Sequence, residues 1–347
     1  MSMDLFTPVV EEAQFHKNFL NTLVHARQPE RDVIQSWGQG FPDRDNKFVR
    51  EFQTTFNSSF WELYLHAVFS DYGFTIDWTH ASPDFSLTTP YGEIVIEAVT
   101  ANAAIGATPE WEESLSILDD IANKKFWPLN HEAIIRLSNA LSGKSRKYVS
   151  TYSKLKHVVR RPFVIAVAPF EQPNFQLQYD RPIRALLFDD YVDEDVYWAN
   201  PSAYPDGQPP SVQLGSIEKG NGATIDLGIF LDDGWAEVSA VIFSCTATWG
   251  KAVAMSKGPM LGVISSTWMG EAGPEGRLAR IGIPSEKVID GLQIFHNPHA
   301  THPLLLDTFR RPGVVQHYCS EDGWHREGEL GSLLSRTPFT MGIRPKE

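Results

Sequence analysis

Three carboxylates in the N-terminal half of the chain have the types and positions needed for metal chemistry. Asp84 follows Pro83, and Glu97 lies in the apolar run Ile-Val-Ile-Glu-Ala-Val, with the turn at residues 89–92 between them. If the two flanking segments form an antiparallel hairpin, both side chains can meet at one point of the sheet. Glu62, earlier in the chain, can supply a third carboxylate. Carboxylates are the protein ligands that Mg²⁺ prefers, and without a cation such like charges raise each other's pKa. The pattern therefore predicts a divalent metal site.

Local sequence patterns predict the elements that position these acids. Apolar residues spaced three or four apart predict an amphipathic helix over residues 44–70: Phe48, Phe52, Phe56, Phe60, Leu63 and Ala67. Alternation at residues 74–78 predicts a strand, and two more follow at 84–88 and 93–99. Residues 109–157 are predicted helical in two pieces divided near Pro128 and Asn130, with Gly143 as a candidate bend. Residues 162–168, rich in β-branched side chains, predict a buried central strand. The order is helix, three strands, helix, strand.

The charge of the chain is unevenly distributed. A formal net charge of -13 argues against a protein that coats nucleic acid nonspecifically, because phosphate contacts need positive potential. No Asp or Glu lies between residues 133 and 170, where the basic residues are Arg136, Lys144, Arg146, Lys147, Lys154, Lys156, Arg160 and Arg161. We name these residues the basic segment. Its composition suits either a phosphate-binding surface or a solvated helix face.

The remaining sequence suggests how the chain is organised. We predict an N-terminal helical extension at residues 1–43, a core at 44–188, a partly mobile acidic insertion rich in Pro and Gly at 189–223, and a β-rich C-terminal portion at 224–347 with strands near 236–245 and 261–266. The two cysteines, Cys245 and Cys319, are too few for a disulfide framework and are expected to be packed thiols. There is no apolar run of about 18 residues and the N-terminus is acidic, which predicts a cytoplasmic protein without a membrane segment.

Pro83-Asp84, Glu97 and this order of elements resemble the PD-(D/E)xK nuclease superfamily, which has the restriction-endonuclease-like fold. The segments FQTTFNSSFWELYLHAVF and IEAVTAN are also similar to a bacterial group within it. The resemblance, confined to residues 44–170, implies an α/β protein with that core, to which the β-rich C-terminal portion predicted above is added. It also implies metal-dependent hydrolysis of phosphodiester bonds, with DNA favoured over RNA. Asp84, Glu97 and the carbonyl of Ala98 would bind Mg²⁺ or Mn²⁺, and Glu62 would be a further ligand or position the water.

The sequence departs from the superfamily pattern at one position. The lysine expected two residues after Glu97 is absent, because residue 99 is Val. Some members of the superfamily carry this lysine on a neighbouring helix, and Lys144 and Lys147 lie on one face of the helix predicted after the strands. Lys144 is our first candidate and Lys147 the second. Arg146, Lys154 and Lys156 would contact the backbone of the nucleic acid.

Other interpretations stay open at this stage. Without the expected lysine, the protein could bind nucleic acid and not cut it, or it could be an acidic component that holds a protein partner. Glu97 could simply end a strand and cap the next helix, Asp84 could be a turn residue, and Glu62 could be a solvated helix position. A homodimer is plausible by resemblance, because double-strand cutters of this fold often pair.

Overall fold

The computed structural model describes residues 3–43, 47–112, 115–259 and 262–340. Its helices are α1 (Lys17–Thr22), α2 (Gln28–Trp37), α3 (Phe48–Thr54), α4 (Phe56–Tyr72), α5 (Leu115–Ala122), α6 (Trp127–Ser150), α7 (Arg181–Phe188), α8 (Glu194–Ala199) and α9 (Trp249–Met255). Its strands are β1 (Thr75–Asp77), β2 (Phe85–Thr89), β3 (Gly92–Asn102), β4 (Phe163–Phe170), β5 (Tyr191–Val192), β6 (Ser211–Val212), β7 (Ser216–Glu218), β8 (Thr224–Asp226), β9 (Ala240–Phe243), β10 (Gly262–Gly270), β11 (Gly273–Arg280), β12 (Gln293–His296), β13 (Val315–Ser320), β14 (Gly323–Glu327) and β15 (Leu333–Thr340).

The protein is a mixed α/β protein built on one large mixed sheet. In the described ranges this sheet has the strand order β1-β2-β3-β4-β9-β12-β13-β14. β1, β2 and β3 are antiparallel neighbours, whereas β3, β4 and β9 run parallel to one another. β9, β12, β13 and β14 therefore extend the sheet that the N-terminal half begins. β10, β11 and β15 form a separate sheet in the C-terminal part.

Apolar residues cover both faces of the sheet at β3, where side chains alternate between faces. Ile94 and Ile96 belong to the buried cluster that contains residues of α4, such as Phe60 and Leu63. Val95 points the other way, into the cluster that contains residues of α6. Every residue of β4 is buried, which confirms the predicted central strand. α4 and α6 consequently lie on opposite faces of the same strand.

The helix predicted over residues 44–70 is interrupted at Thr55, so that α3 and α4 replace it. The hydroxyls of Thr54 and Thr55 donate to the carbonyls of Arg50 and Glu51, at 3.0 Å each. Such bonds offer the backbone an alternative to continuing the helix. The apolar stripe nevertheless spans the break, with the rings of Phe52 and Phe56 5.0 Å apart.

The second predicted helical region also differs in detail. Two helices are present, as predicted, but the break between α5 and α6 falls at residues 123–126. Pro128 lies in the first turn of α6, where a backbone N–H would have no acceptor within the helix. Gly143 lies inside α6. The predicted helices at 44–70 and 109–157 and the predicted strand at 261–266 include residues 44–46, 113–114 and 261, which lie outside the described residues.

The acidic insertion contains short regular elements: β5, α8, β6 and β7 fall within residues 189–223. The Oδ1 atom of Asp189, at the start of this insertion, accepts hydrogen bonds from the backbone N–H groups of Leu214 and Gly215 near its end, at 2.8 and 2.9 Å. Cys245 is buried as predicted, but the prediction for Cys319 is wrong because its side chain is exposed. β13 leaves the core at its last two residues, where Cys319 lies. No helix of the described residues is long and apolar enough to cross a membrane.

Candidate active site

The β2–β3 hairpin brings Asp84 to the middle of β3. The pairing of β2 with β3 runs from Thr89 opposite Gly92 to Phe85 opposite Ile96, and β3 continues beyond the end of β2. Asp84, the residue before β2, accepts the N–H of Ala98 through Oδ2 at 2.8 Å. The carboxylate therefore replaces the strand partner that β3 lacks at this point.

The same bond orients the carbonyl of Ala98. The N–H and C=O of one residue in a strand point to the same side, as the paired exchange of bonds in antiparallel sheets requires. Because the N–H of Ala98 points to Asp84, its carbonyl also faces the edge of β3 where Asp84 lies. A carboxylate and a carbonyl oxygen are thus directed to one edge.

Glu97 is bound by both candidate lysines. The Nζ atoms of Lys144 and Lys147 donate to its Oε1 at 2.7 and 2.9 Å. The Glu97 side chain is only 1% exposed, whereas those of Lys144 and Lys147 are 22% and 47% exposed. In the described part of the chain, Oε2 of Glu97 is buried and has no hydrogen-bond partner. Glu97 does not cap a helix, so that simpler interpretation is wrong.

The position of α6 explains how the site receives its ammonium groups. Val99 packs against the apolar cluster between the sheet and α6, on the same face as Glu97. Lys144 and Lys147 are three residues apart and therefore neighbours on one face of α6. Both reach Glu97 from this helix, while residue 99 contributes to packing.

Glu62 comes to the site with α4. The neighbouring Trp61 fixes this helix on the sheet, because its indole Nε1 donates to the carbonyl of Ala166 at 3.0 Å. Burial, and then the negative charges of Asp84, Glu51 and Glu97, raise the pKa of Glu62 to about 8 against the opposing effect of Lys144. Among the charged groups that act on Glu62, Asp84 has the largest effect on its pKa.

Asp84 is also an unusually weak acid. Burial and then the charge of Glu97 raise the pKa of Asp84 to about 6, although Lys144 and the N–H of Ala98 oppose the shift. Glu62 and Asp84 therefore lie in surroundings that disfavour their ionised forms. Such perturbed carboxyls are typical of functional sites.

Tyr152, which the sequence did not single out, contacts Lys147. The ring centroid of Tyr152 lies 4.8 Å from Nζ of Lys147. Burial lowers the pKa of Lys147, but Tyr152 and Glu97 outweigh it and raise the pKa above its ordinary value. Burial raises the pKa of Tyr152 to about 12. Lys147 is therefore charged at neutral pH.

Two histidines support the segment that precedes Asp84, and sequence reasoning also missed them. The Nε2 atom of His157 lies 2.8 Å from the carbonyl oxygen of Ser82. The rings of His80 and His157 stack with centroids 3.6 Å apart. The pair is 77 residues apart in the chain, and no spacing in the sequence signals such a contact.

The basic segment is mostly on the surface. Arg146, Lys154, Lys156 and Arg160 are exposed. Lys154 donates to the carbonyl of Ser150 at 2.8 Å, and none of these four pairs with a carboxylate among the described residues. Arg136 and Arg161 differ, because they pair with Glu132 and Glu93 at 2.6 Å each. The three predicted backbone contacts, Arg146, Lys154 and Lys156, are thus accessible cations.

Taken together, the site contains Glu62, Asp84 and Glu97 beside Lys144 and Lys147. Within the described ranges, no group of three or more His, Cys, Asp or Glu side chains is arranged to hold a metal ion. Lys144 and Lys147 neutralise Glu97, while Glu62 and Asp84 carry raised pKa values. The arrangement has more acid than base and can accept added positive charge.

No protein-family model, curated protein or solved structure matches the chain.

Proposed function

We propose that the protein is a metal-dependent nuclease that hydrolyses phosphodiester bonds of nucleic acid, with DNA as the favoured substrate. The observation that carries the proposal is the buried Glu97, which meets two lysines of α6 on a strand edge where Asp84 is fixed by Ala98. Acidic groups that can bind a cation and ammonium groups that can bind a phosphate are thus combined at one site. Both kinds of group can stabilise the charge that develops during phosphodiester hydrolysis.

Mg²⁺ or Mn²⁺ fits the oxygen donors of this site. Oε2 of Glu97 is buried without a hydrogen-bond partner among the described residues, and burial and neighbouring charge raise the pKa values of Asp84 and Glu62. Asp84, Glu97 and the carbonyl of Ala98 would hold the ion, with Glu62 as a further ligand or in a water-positioning role. Bound there, the metal would activate a water molecule and stabilise negative charge on the phosphate.

The surrounding residues have separate roles in this proposal. Lys144 orients the nucleophile or steadies the phosphate, and Lys147 assists with a charge that Tyr152 and Glu97 maintain. Arg146, Lys154 and Lys156 contact the backbone of the nucleic acid, which adds affinity without sequence information. A homodimer in the cytoplasm is part of the proposal, since two copies of a single site would be needed to cut both strands.

The direct test is cleavage of plasmid DNA and of RNA with Mg²⁺, with Mn²⁺ and with EDTA. We expect cleavage with either metal and none in EDTA, and Glu97→Ala should lower kcat/KM at least about 100-fold. Glu93→Ala is the matched control, because Glu93 lies on the same strand but is 53% exposed and pairs with Arg161. Equal activity of the Glu97→Ala and wild-type proteins, or cleavage that persists in EDTA, would contradict the proposal.

A protein that binds nucleic acid without cutting it is the second candidate. It is favoured by the two lysine bonds to Glu97, which neutralise this carboxylate without any metal. If this candidate is correct, the protein binds nucleic acid through Arg146, Lys154 and Lys156 and does not cleave it with either metal. The Asp84→Ala variant then has the same affinity for nucleic acid as the wild-type protein. Cleavage that Asp84→Ala abolishes would exclude it.

A further inference from the structure

A cleft of about 300 Å³ lies beside the candidate active site, at the N-terminal end of α4. Ser58 and Thr100 both line it. Ser58 precedes Glu62 by four residues on α4, a rise of about 6 Å, and Thr100 follows Ala98 by two residues on β3, a rise of about 6.6 Å. α4 therefore leads from Glu62, and β3 from Ala98, into the cleft.

The far wall of the cleft is held in place by side-chain bonds. Glu110, in the loop after β3, accepts the Nδ2 atoms of Asn18 (2.9 Å) and Asn57 through Oε1. Asn18 also donates to Oδ1 of Asn57 at 3.0 Å. The ring centroids of Trp111 and His16 lie 4.6 Å apart in an edge-to-face arrangement. These contacts join α1, α4 and the loop after β3. The cleft is consequently formed before any ligand arrives.

The lining chemistry fits an uncharged aromatic ligand with polar edges. The described residues that line the cleft include amide, hydroxyl and aromatic side chains and the Glu110 carboxylate but no Lys or Arg, so the cleft does not suit a phosphate. Burial lowers the pKa of His16, which keeps this ring neutral at pH 7. Trp111 is 37% exposed, and Asn102 and Ser58 add hydrogen-bonding groups. Unpaired nucleobases are recognised by aromatic stacking and by hydrogen bonds to their edges.

We propose that this cleft seats one unpaired nucleobase next to the phosphate that is cut. Trp111 stacks on the base, while Ser58, Thr100 and Asn102 face its polar edge. The volume lies at the lower end of the roughly 300–1,000 Å³ of small-molecule sites, which suits one nucleoside. The inference rests on the proposed function for cleavage, but base binding can be measured without it. A duplex cut at this site would then have one base unpaired next to the phosphate.

The test compares two fluorescent single strands of equal length and charge: an oligodeoxythymidine and the same sugar–phosphate backbone without bases. Both are titrated with protein in EDTA, and fluorescence anisotropy gives the Kd. We expect the wild-type protein to bind the strand with bases about tenfold more tightly, because stacking acts only on that strand. Trp111→Ala should bind both strands equally, with the affinity for the abasic strand unchanged. Tyr91→Ala is the matched control, since Tyr91 is a 50% exposed aromatic in the β2–β3 turn.

Equal affinities of the wild-type protein for the two strands would overturn the inference. So would a tenfold preference that survives in Trp111→Ala, or one that Tyr91→Ala also removes. Base-dependent binding without metal-dependent cleavage would support the base-binding role of the cleft and contradict the nuclease proposal. Cleavage that requires Glu97, together with base-independent binding, would instead support the nuclease proposal and overturn the base-binding inference.

Discussion

Two regions of the molecule bury a glutamate between two cations, and they differ in access to solvent. In the first, which we name the closed cluster, Glu286 contacts Lys251 at 2.6 Å and Arg336 at 3.4 Å, and all three side chains are at most 1% exposed. In the candidate active site, Glu97 is as deeply buried, but its lysine partners are 22% and 47% exposed. Only the second region can exchange one charged partner for another.

The two regions also differ in charge balance. In the closed cluster, Lys251 donates to the carbonyl of Asp290 at 2.7 Å and Arg336 donates to the carbonyl of Thr246 at 3.0 Å, so backbone oxygens satisfy the cations further. In the candidate active site, Glu62 and Asp84 add two carboxyls whose pKa values burial raises to about 8 and about 6. Burial of an ion pair alone therefore does not indicate a functional site. An ion pair with solvent-accessible cations and additional carboxyl groups of raised pKa does.

The largest expected effect that separates the two regions is on stability. Glu286→Gln leaves two buried cations without their carboxylate, which should lower the free energy of unfolding by about 3–5 kcal/mol. Glu97→Gln should lower it by only about 1 kcal/mol, since both lysines can turn to water. Urea unfolding at pH 7 measures both values. A greater loss for Glu97→Gln than for Glu286→Gln would remove the distinction.

The next expected effect is a dependence of stability on pH. The pKa of Glu62 rises from its ordinary 4.5 to about 8, and that of Asp84 from 3.8 to about 6, with burial as the main cause. The folded state then binds more protons than the unfolded state between these values, so the stability from both groups is present at low pH and is lost as the pH rises to about 8. We expect Tm to fall less steeply over pH 5–8 in Glu62→Gln than in the wild-type protein.

Metal addition sharpens the same experiment. Mg²⁺ should raise Tm at pH 8, where Glu62 and Asp84 are ionised, more than at pH 5. Asp84→Asn should reduce this gain, whereas Glu286→Gln should retain it despite its lower starting Tm. Identical pH profiles of wild-type and Glu62→Gln proteins, or a Mg²⁺ effect that Asp84→Asn leaves intact, would contradict the proposed electrostatics.

The smallest expected effect concerns the exposed cations next to the open region. Lys156→Gln should weaken binding of nucleic acid and reduce the slope of log K against log salt concentration by about 1, because one phosphate contact is lost. Arg136→Gln is the control, since Arg136 already pairs with Glu132 at 2.6 Å. The slope is measured from Kd values over a series of NaCl concentrations. An unchanged slope for Lys156→Gln would remove this residue from the interface.

Much of the local structure could be predicted from the sequence, because its causes lie within a few residues. The turn at residues 89–92 and the apolar run that contains Glu97 predicted the hairpin, and the hairpin by itself brings Asp84 to β3. The break at Thr55 was missed, because the apolar stripe continues across it while two hydroxyl bonds end the helix. Cys319 was predicted to be buried, but whether a strand end leaves the core depends on distant elements.

The extent of the sheet was also not predictable from local patterns. β9, β12, β13 and β14 join the N-terminal strands, although the chain between β4 and β9 forms α7, α8 and short strands. Which strands become neighbours depends on packing between segments that are far apart in the chain. The periodicity within one segment does not indicate which strands pair with it in the sheet.

The sequence alone determined the acids, the hairpin that carries two of them and the concentration of cations after residue 133. Only the tertiary structure decided that Lys144 and Lys147 both reach Glu97 and that burial raises the pKa of Glu62 to about 8. It also decided that a cleft bounded by Glu110 opens beside Ser58. The physical reason is range: hydrogen-bonded turns and amphipathic periods act between near neighbours in the chain, whereas desolvation and charge coupling depend on which faces of distant elements pack together.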